Sequence, residues 1–273
     1  MSHAASGTPL TRHGSRVPAP PATLSPAGAA NPPSQLSVTA RRPAPQPVAR
    51  PAPAIHTMIV CLSDDVPQEA LAGPRLATHL GVPCVLTARF WAVPGLRRWQ
   101  RHHLIGLRKG RPAACAGGPI GLLDLHGMRH AAAAGAAIRH QIWQHAVHGT
   151  RPATSWPTLE ARHLANPDRY SRDAAIADFH AQPRINAMRL HAVTNPGPGQ
   201  PTVAEVEMYQ AGALAYQHYS AATAVVGDAM ITADGRTLAP ASDALTDRTS
   251  YLEQALRYLD TLAPDQRLLA VTL

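Results

Sequence analysis

Acidic residues are missing from the first 63 positions of this 273-residue chain, and aromatic residues from the first 89. A stretch without aromatics, with little else to bury, cannot close a hydrophobic core. Residues 1–54 also hold 12 of the 27 prolines, which break helices and remove ladder donors from sheets. The sequence therefore predicts a disordered Pro/Ala/Arg-rich tail over 1–54 and a single α/β domain over 55–273, long enough to bury a substantial core.

Cysteine is scarce as well. Cys61, Cys84 and Cys115 cannot all pair within the chain and none stands in a CxxC spacing, so reduced thiols in a cytoplasmic protein are expected. No run of about 20 apolar residues occurs and the N-terminus lacks an apolar secretory core, so no membrane association is expected. An acid-free leader with Arg and Ser also suits an organelle transit peptide, but its prolines spoil the amphipathic helix that such a peptide needs. Met58 offers an alternative start for the folded part.

Motifs with a fixed chemistry are absent too. There is no GxxxxGK[ST] and no GxSxG, and Gly117-Gly118 precedes an expected strand instead of joining a strand to a helix. No helix-turn-helix, zinc-finger or RNP signature is present. Cys61 and Cys84 fall in runs expected to be buried strands, where a thiol packs and does not react.

What is there is a charge asymmetry. Between Glu69 and Asp124 no acid occurs, yet the interval holds Arg75, Arg89, Arg97, Arg98, Arg101, Arg108, Lys109 and Arg111. Residues 1–54 and 55–123 each carry a net charge of +5, whereas 124–273, with twelve arginines and fourteen acids, carry −2. Positive charge is therefore concentrated in the first half. One lysine stands against 24 arginines, which with the abundant Ala, Pro and Gly suggests a GC-rich coding sequence as one source of the basicity.

The hydrophobic pattern predicts a strand at Ile55–Leu62, a helix from Pro67 to Leu80 and a second strand at Pro83–Thr87. That is a βαβ-type unit with parallel strands and helices on the sheet faces. A basic amphipathic helix is expected from Pro94, with Leu96, Trp99, His103 and Leu107 inward and Arg97, Arg98, Arg101 and Arg108 outward. A third buried strand is expected at Ile120–Leu125 and an Ala-rich helix at Gly127–His148. A mostly helical region follows: Trp156–Ala165, Ser171–Ala181 capped by Ser171, Arg184–Ala192, and Val203–Tyr219 with a Thr202/Glu205 capping box. A short hairpin at Ala229–Thr232 and Thr237–Leu238, a Leu-striped helix from Leu245 to Leu262 and a C-terminal strand at Leu268–Leu273 complete the chain.

If the first three strands were parallel neighbours, their carboxyl ends would gather Asp64, Asp65, Arg89, Asp124 and His126 in the crevice where open α/β sheets bind ligands. Asp64, Asp65 and Asp124 could then hold Mg²⁺ for phosphoryl transfer or phosphodiester hydrolysis, with His126 as a further catalytic candidate. Asp at a strand end is equally a helix cap or turn residue. His126, His130, His140 and His148 share about 80° of one helix, opposite Met128, Ile138, Ile142 and Ala146. This predicts a wetter histidine face, with at most His126 and His130 able to chelate a single ion.

Arg89, Arg97, Arg98, Arg101, Arg108 and Lys109 are the candidate phosphate contacts, because guanidinium groups bind phosphate oxygens bidentately. Trp99, interleaved among them, is assigned to the core. Arg41, Arg42 and Arg50 of the tail would add salt-dependent attraction. The leading expectation is binding of a phosphate-bearing partner, nucleic acid or nucleotide. The alternatives are a Mg²⁺-dependent enzyme using the Asp cluster, or an interaction subunit that docks a protein partner on the basic helix.

Overall fold

The computed structural model describes residues 55–62, 77–78, 81, 83–195 and 200–273. The β-branched run that opens the domain is strand β1 (Thr57–Leu62), followed by β2 (Val85–Leu86), β3 (Phe90–Trp91), β4 (Ala114–Cys115) and β5 (Gly117–Pro119). The helical middle comprises α1 (Leu125–Ala146), α2 (Trp156–Ala165), α3 (Arg172–Ala181), α4 (Pro183–Thr194), α5 (Val203–Ala211) and α6 (Ala213–Val226). The hairpin β6 (Ala229–Ile231) and β7 (Thr237–Leu238), helix α7 (Leu245–Thr261) and strand β8 (Arg267–Thr272) close the chain. This is the mixed α/β architecture that the sequence predicts. The expected helix at Pro67–Leu80 lies outside the described residues except at Ala77 and Thr78, which are helical.

The main sheet has the order β2-β8-β1-β6-β7, and β1 pairs parallel with β6. The C-terminal strand is central. It runs antiparallel to β1 on one side and to β2 and β5 on the other. β1, β2 and β5 therefore point the same way, as expected, but they are not neighbours, because β8 separates β1 from the other two. Alternation along β1 explains why both faces are dry: Ile59 and Cys61 join the cluster that includes Tyr251, Leu252 and Ala255 of α7, and Met58, Val60 and Leu62 face the opposite side with Leu269 and Val271.

The far edge of β8 is shared by two pieces of chain. β2 covers Val271 and Thr272, then Thr87 N–H donates to the Ala270 carbonyl at 3.0 Å, and after an excursion β5 covers Arg267 to Leu269. The return requires a glycine, because a Cβ on Gly117 would stand 2.0 Å from the Leu268 carbonyl oxygen. The expected third strand at Ile120–Leu125 is thus displaced to Gly117–Pro119, and Ile120–Leu122 forms a short 3₁₀ turn leading into α1.

The other corrections also trace to tertiary packing. The single helix expected over Val203–Tyr219 is two helices, broken at Gly212, whose φ of 117° lies outside helical space. The capping box that begins it is present: Thr202 Oγ1 accepts from Glu205 N–H at 3.2 Å, and Glu205 Oε2 accepts from Thr202 N–H at 2.9 Å. In α1 the buried face is Met128, Ala136, His140 and Trp143, whereas Ile138 is 59% and Ile142 41% exposed. Trp143 sets that rotation: its ring lies 5.6 Å from Tyr209 and 5.4 Å from Tyr216 in the helical core, and it carries His140 inward to 4.7 Å from Tyr209. The expected wetter histidine face therefore fails at His140.

Candidate functional site

Of the predicted acidic cluster, Asp64 and Asp65 lie outside the described residues. Asp124 caps α1, its Oδ1 accepting from Gly127 N–H at 2.8 Å, so its carboxylate serves the first turn of the helix. His126 and His130 are exposed on the same helix. No group of three metal-ligating side chains forms among the described residues.

Arg89 departs from the other basic candidates. It is half-buried, and its guanidinium donates to the carbonyls of Thr223 at 2.6 Å and Ala224 at 3.2 Å, in the last turn of α6. A cation at a helix C-terminus satisfies orphan carbonyls and the negative end of the dipole, so this arginine anchors the helix. Burial pulls its pKa down from its ordinary value, against the opposing charge of Asp228. Asp228 Oδ2 in turn accepts from the backbone N–H groups of His56 at 3.1 Å and Thr57 at 2.9 Å.

Arg97, Arg98, Arg101, Arg108, Lys109 and Arg111 project from the excursion between β2 and β5, and all are exposed. The amphipathic helix expected here is absent; a 3₁₀ turn at Gln100–His103 is its only helical element. Two causes are visible. Arginines three and four apart, with no acid among them, repel one another on a helix. Backbone pairing also pulls the chain into a folded loop: Ile105 exchanges hydrogen bonds with Gly117 and Ala116 at 2.9 and 2.8 Å, and Arg108 pairs with Ala114 at 2.7 and 3.2 Å. β3–β4 closes the neck, where Phe90 and Cys115 are fully buried. The loop is therefore rooted in the core and basic at its surface.

Trp99 overturns its assignment to the core, for it is 59% exposed at the head of the 3₁₀ turn. Leu104 takes the buried position instead. Among the described residues no carboxylate pairs with any of the six cations of the loop.

A second feature was not foreseen. A cleft of about 830 Å³ opens among α1, α3, α5, α6 and the start of α7, lined by Arg89, Arg139, Arg172 and Arg248 against Glu205, Asp228 and Asp243. Arg172 pairs with Asp243, and Arg139 Nε donates to Tyr216 Oη at 3.0 Å. Burial raises the pKa of Tyr219 beside them, and the nearby charge of Arg248 draws it back. These four arginines are spread from position 89 to position 248 with no shared motif, so only the fold reveals them as a set.

No reactive thiol emerges at either place. Burial pushes Cys61 up to about 12 and Cys115 up to about 11, so both are protonated at neutral pH. No helix among the described residues is long and apolar enough to cross a membrane. No protein-family model, curated protein or solved structure matches this chain, and the geometry alone carries its functional reading.

Proposed function

We propose that the protein binds nucleic acid through the excursion between β2 and β5, with single strands favoured over duplex. The observation that carries this reading is the exposed indole of Trp99 among Arg97, Arg98 and Arg101, none of them neutralised by a carboxylate in the described residues. An exposed tryptophan is a stacking platform for an unpaired base, and the flanking guanidiniums engage its phosphates. Arg108, Lys109 and Arg111 extend the same charged surface, and the arginines of the tail would add attraction that carries no sequence information. The free cysteines accord with a reducing compartment, so we place the protein in the cytoplasm.

The test is the affinity of the full chain for a labelled single-stranded oligonucleotide, compared with Trp99→Ala. Because Trp99 is exposed, the variant is expected to melt like the parent. Loss of one stacked base predicts about a tenfold weaker complex, corresponding to the ~1–3 kcal/mol of base stacking. Equal affinity of variant and parent would remove Trp99 from the interface.

A further inference from the structure

We infer that the cleft among α1, α3, α6 and α7 is a second binding site, for a small organic phosphate with a planar body. Its volume of about 830 Å³ suits such a molecule.

The argument turns on which lining groups the protein already satisfies. Asp228 accepts from His56 and Thr57 N–H, Glu205 accepts from Thr202, and Asp243 is held by Arg172. Arg89 is engaged by the carbonyls of Thr223 and Ala224. Each of the three carboxylates thus has at least one partner, and Asp243 keeps one buried oxygen, Oδ1, without a hydrogen bond. Two cations remain. Arg248 of α7 is half-buried and makes no hydrogen bond or ion pair through its side chain among the described residues. Arg139 of α1, also half-buried, lies over the Tyr216 ring at 5.6 Å and hydrogen-bonds only through its Nε, which leaves both terminal nitrogens as donors.

Half-buried guanidinium nitrogens that lack an acceptor are unfavourable, and an anion bridging those of Arg139 and Arg248 would offset that penalty. Two planar forks suit the several oxygens of a phosphate better than the two of a carboxylate. The rest of the wall supplies the counterpart for an apolar, planar body: Trp156, Ile176, Val203 and the ring of Tyr219. This inference does not rest on the nucleic-acid reading, because neither Arg139 nor Arg248 belongs to the excursion.

Calorimetric titration of the full chain with adenosine 5′-monophosphate, inorganic phosphate and adenosine tests the inference. The expected result is one nucleotide per chain, weaker binding of phosphate, and adenosine at least about tenfold weaker than the nucleotide. Arg248→Gln should weaken the nucleotide by about 10- to 100-fold with an unchanged melting temperature, as expected for lost charge-assisted hydrogen bonds. The nucleotide should raise the melting temperature of the parent and not of this variant. Arg139→Gln also removes a partner from buried Tyr216, so Arg248→Gln carries the test. The combined Arg97→Glu, Arg98→Glu and Arg101→Glu variant should bind the nucleotide like the parent. Absence of saturable binding of both nucleotide and phosphate at millimolar concentrations would overturn the inference. So would unchanged affinity in Arg248→Gln, or loss of nucleotide binding only in the triple variant.

Discussion

Glu207 is buried where α5 meets the start of α2, and its Oε1 accepts from Trp156 N–H at 2.9 Å and Gln210 Nε2 at 3.1 Å. Burial raises its pKa above the ordinary 4.5, and those two hydrogen bonds only partly reverse the effect. The folded state thus holds this proton more tightly than the unfolded state does. Its contribution to stability is complete below about pH 4.5 and is lost as the pH rises through the raised value. Glu207→Gln keeps an acceptor for Trp156 and removes the charge, so it should raise the melting temperature near neutral pH, by an amount that shrinks to nothing on acidification. A variant less stable than the parent at about pH 8 would show that the ionised form is the one the fold prefers. At this same scale the sequence singled out the basic residues of the excursion and placed Trp99 in the core, yet Trp99 faces solvent, because side-chain direction there follows loop pairing and not helical periodicity. Arg89, expected at a strand end, is engaged by the last carbonyls of α6. Arg139 and Arg248 could not be singled out, since nothing local distinguishes them from the other arginines.

At the level of elements, local chemistry was decisive where it was strong. The Thr202/Glu205 box and the Ser171 cap appear where the sequence predicts them, because each is satisfied within a few residues of itself, and the leucine stripe of α7 does so because its helical period presents one face to the core cluster around Ile59 and Cys61. Elements failed where a distant partner decided the outcome. The excursion lost its helix to pairing with Gly117 and Ala114, and the third strand moved because β8 required its edge to be completed. Gly212 shows the same conflict within a helical run. Replacing a mid-helix glycine with alanine ordinarily stabilises, yet here φ is 117°, so Gly212→Ala should destabilise the fold by about 1–2 kcal/mol. No atom lies within 4 Å of the added Cβ, so the penalty is one of backbone strain alone. A urea melt would decide it, and a gain in stability would mean that α5 and α6 are free to merge.

For the molecule as a whole, the positive charge lies in the first half of the chain, and the fold gathers six of its cations on one loop rooted at the edge of β8. Counterion release from bound phosphates makes affinity fall with salt, with a logarithmic slope of about −0.7 per phosphate neutralised on a single strand. The decisive measurement is therefore the affinity of the full chain for a single-stranded oligonucleotide across a salt series, alongside the combined Arg97→Glu, Arg98→Glu and Arg101→Glu variant. The parent should give a straight log–log line with a slope of about −3 to −4, and the variant should bind far more weakly with a slope shallower by about 2. A parent that does not bind at low salt, or a variant with the parent's affinity and slope, would contradict the assignment of this loop as a nucleic-acid site.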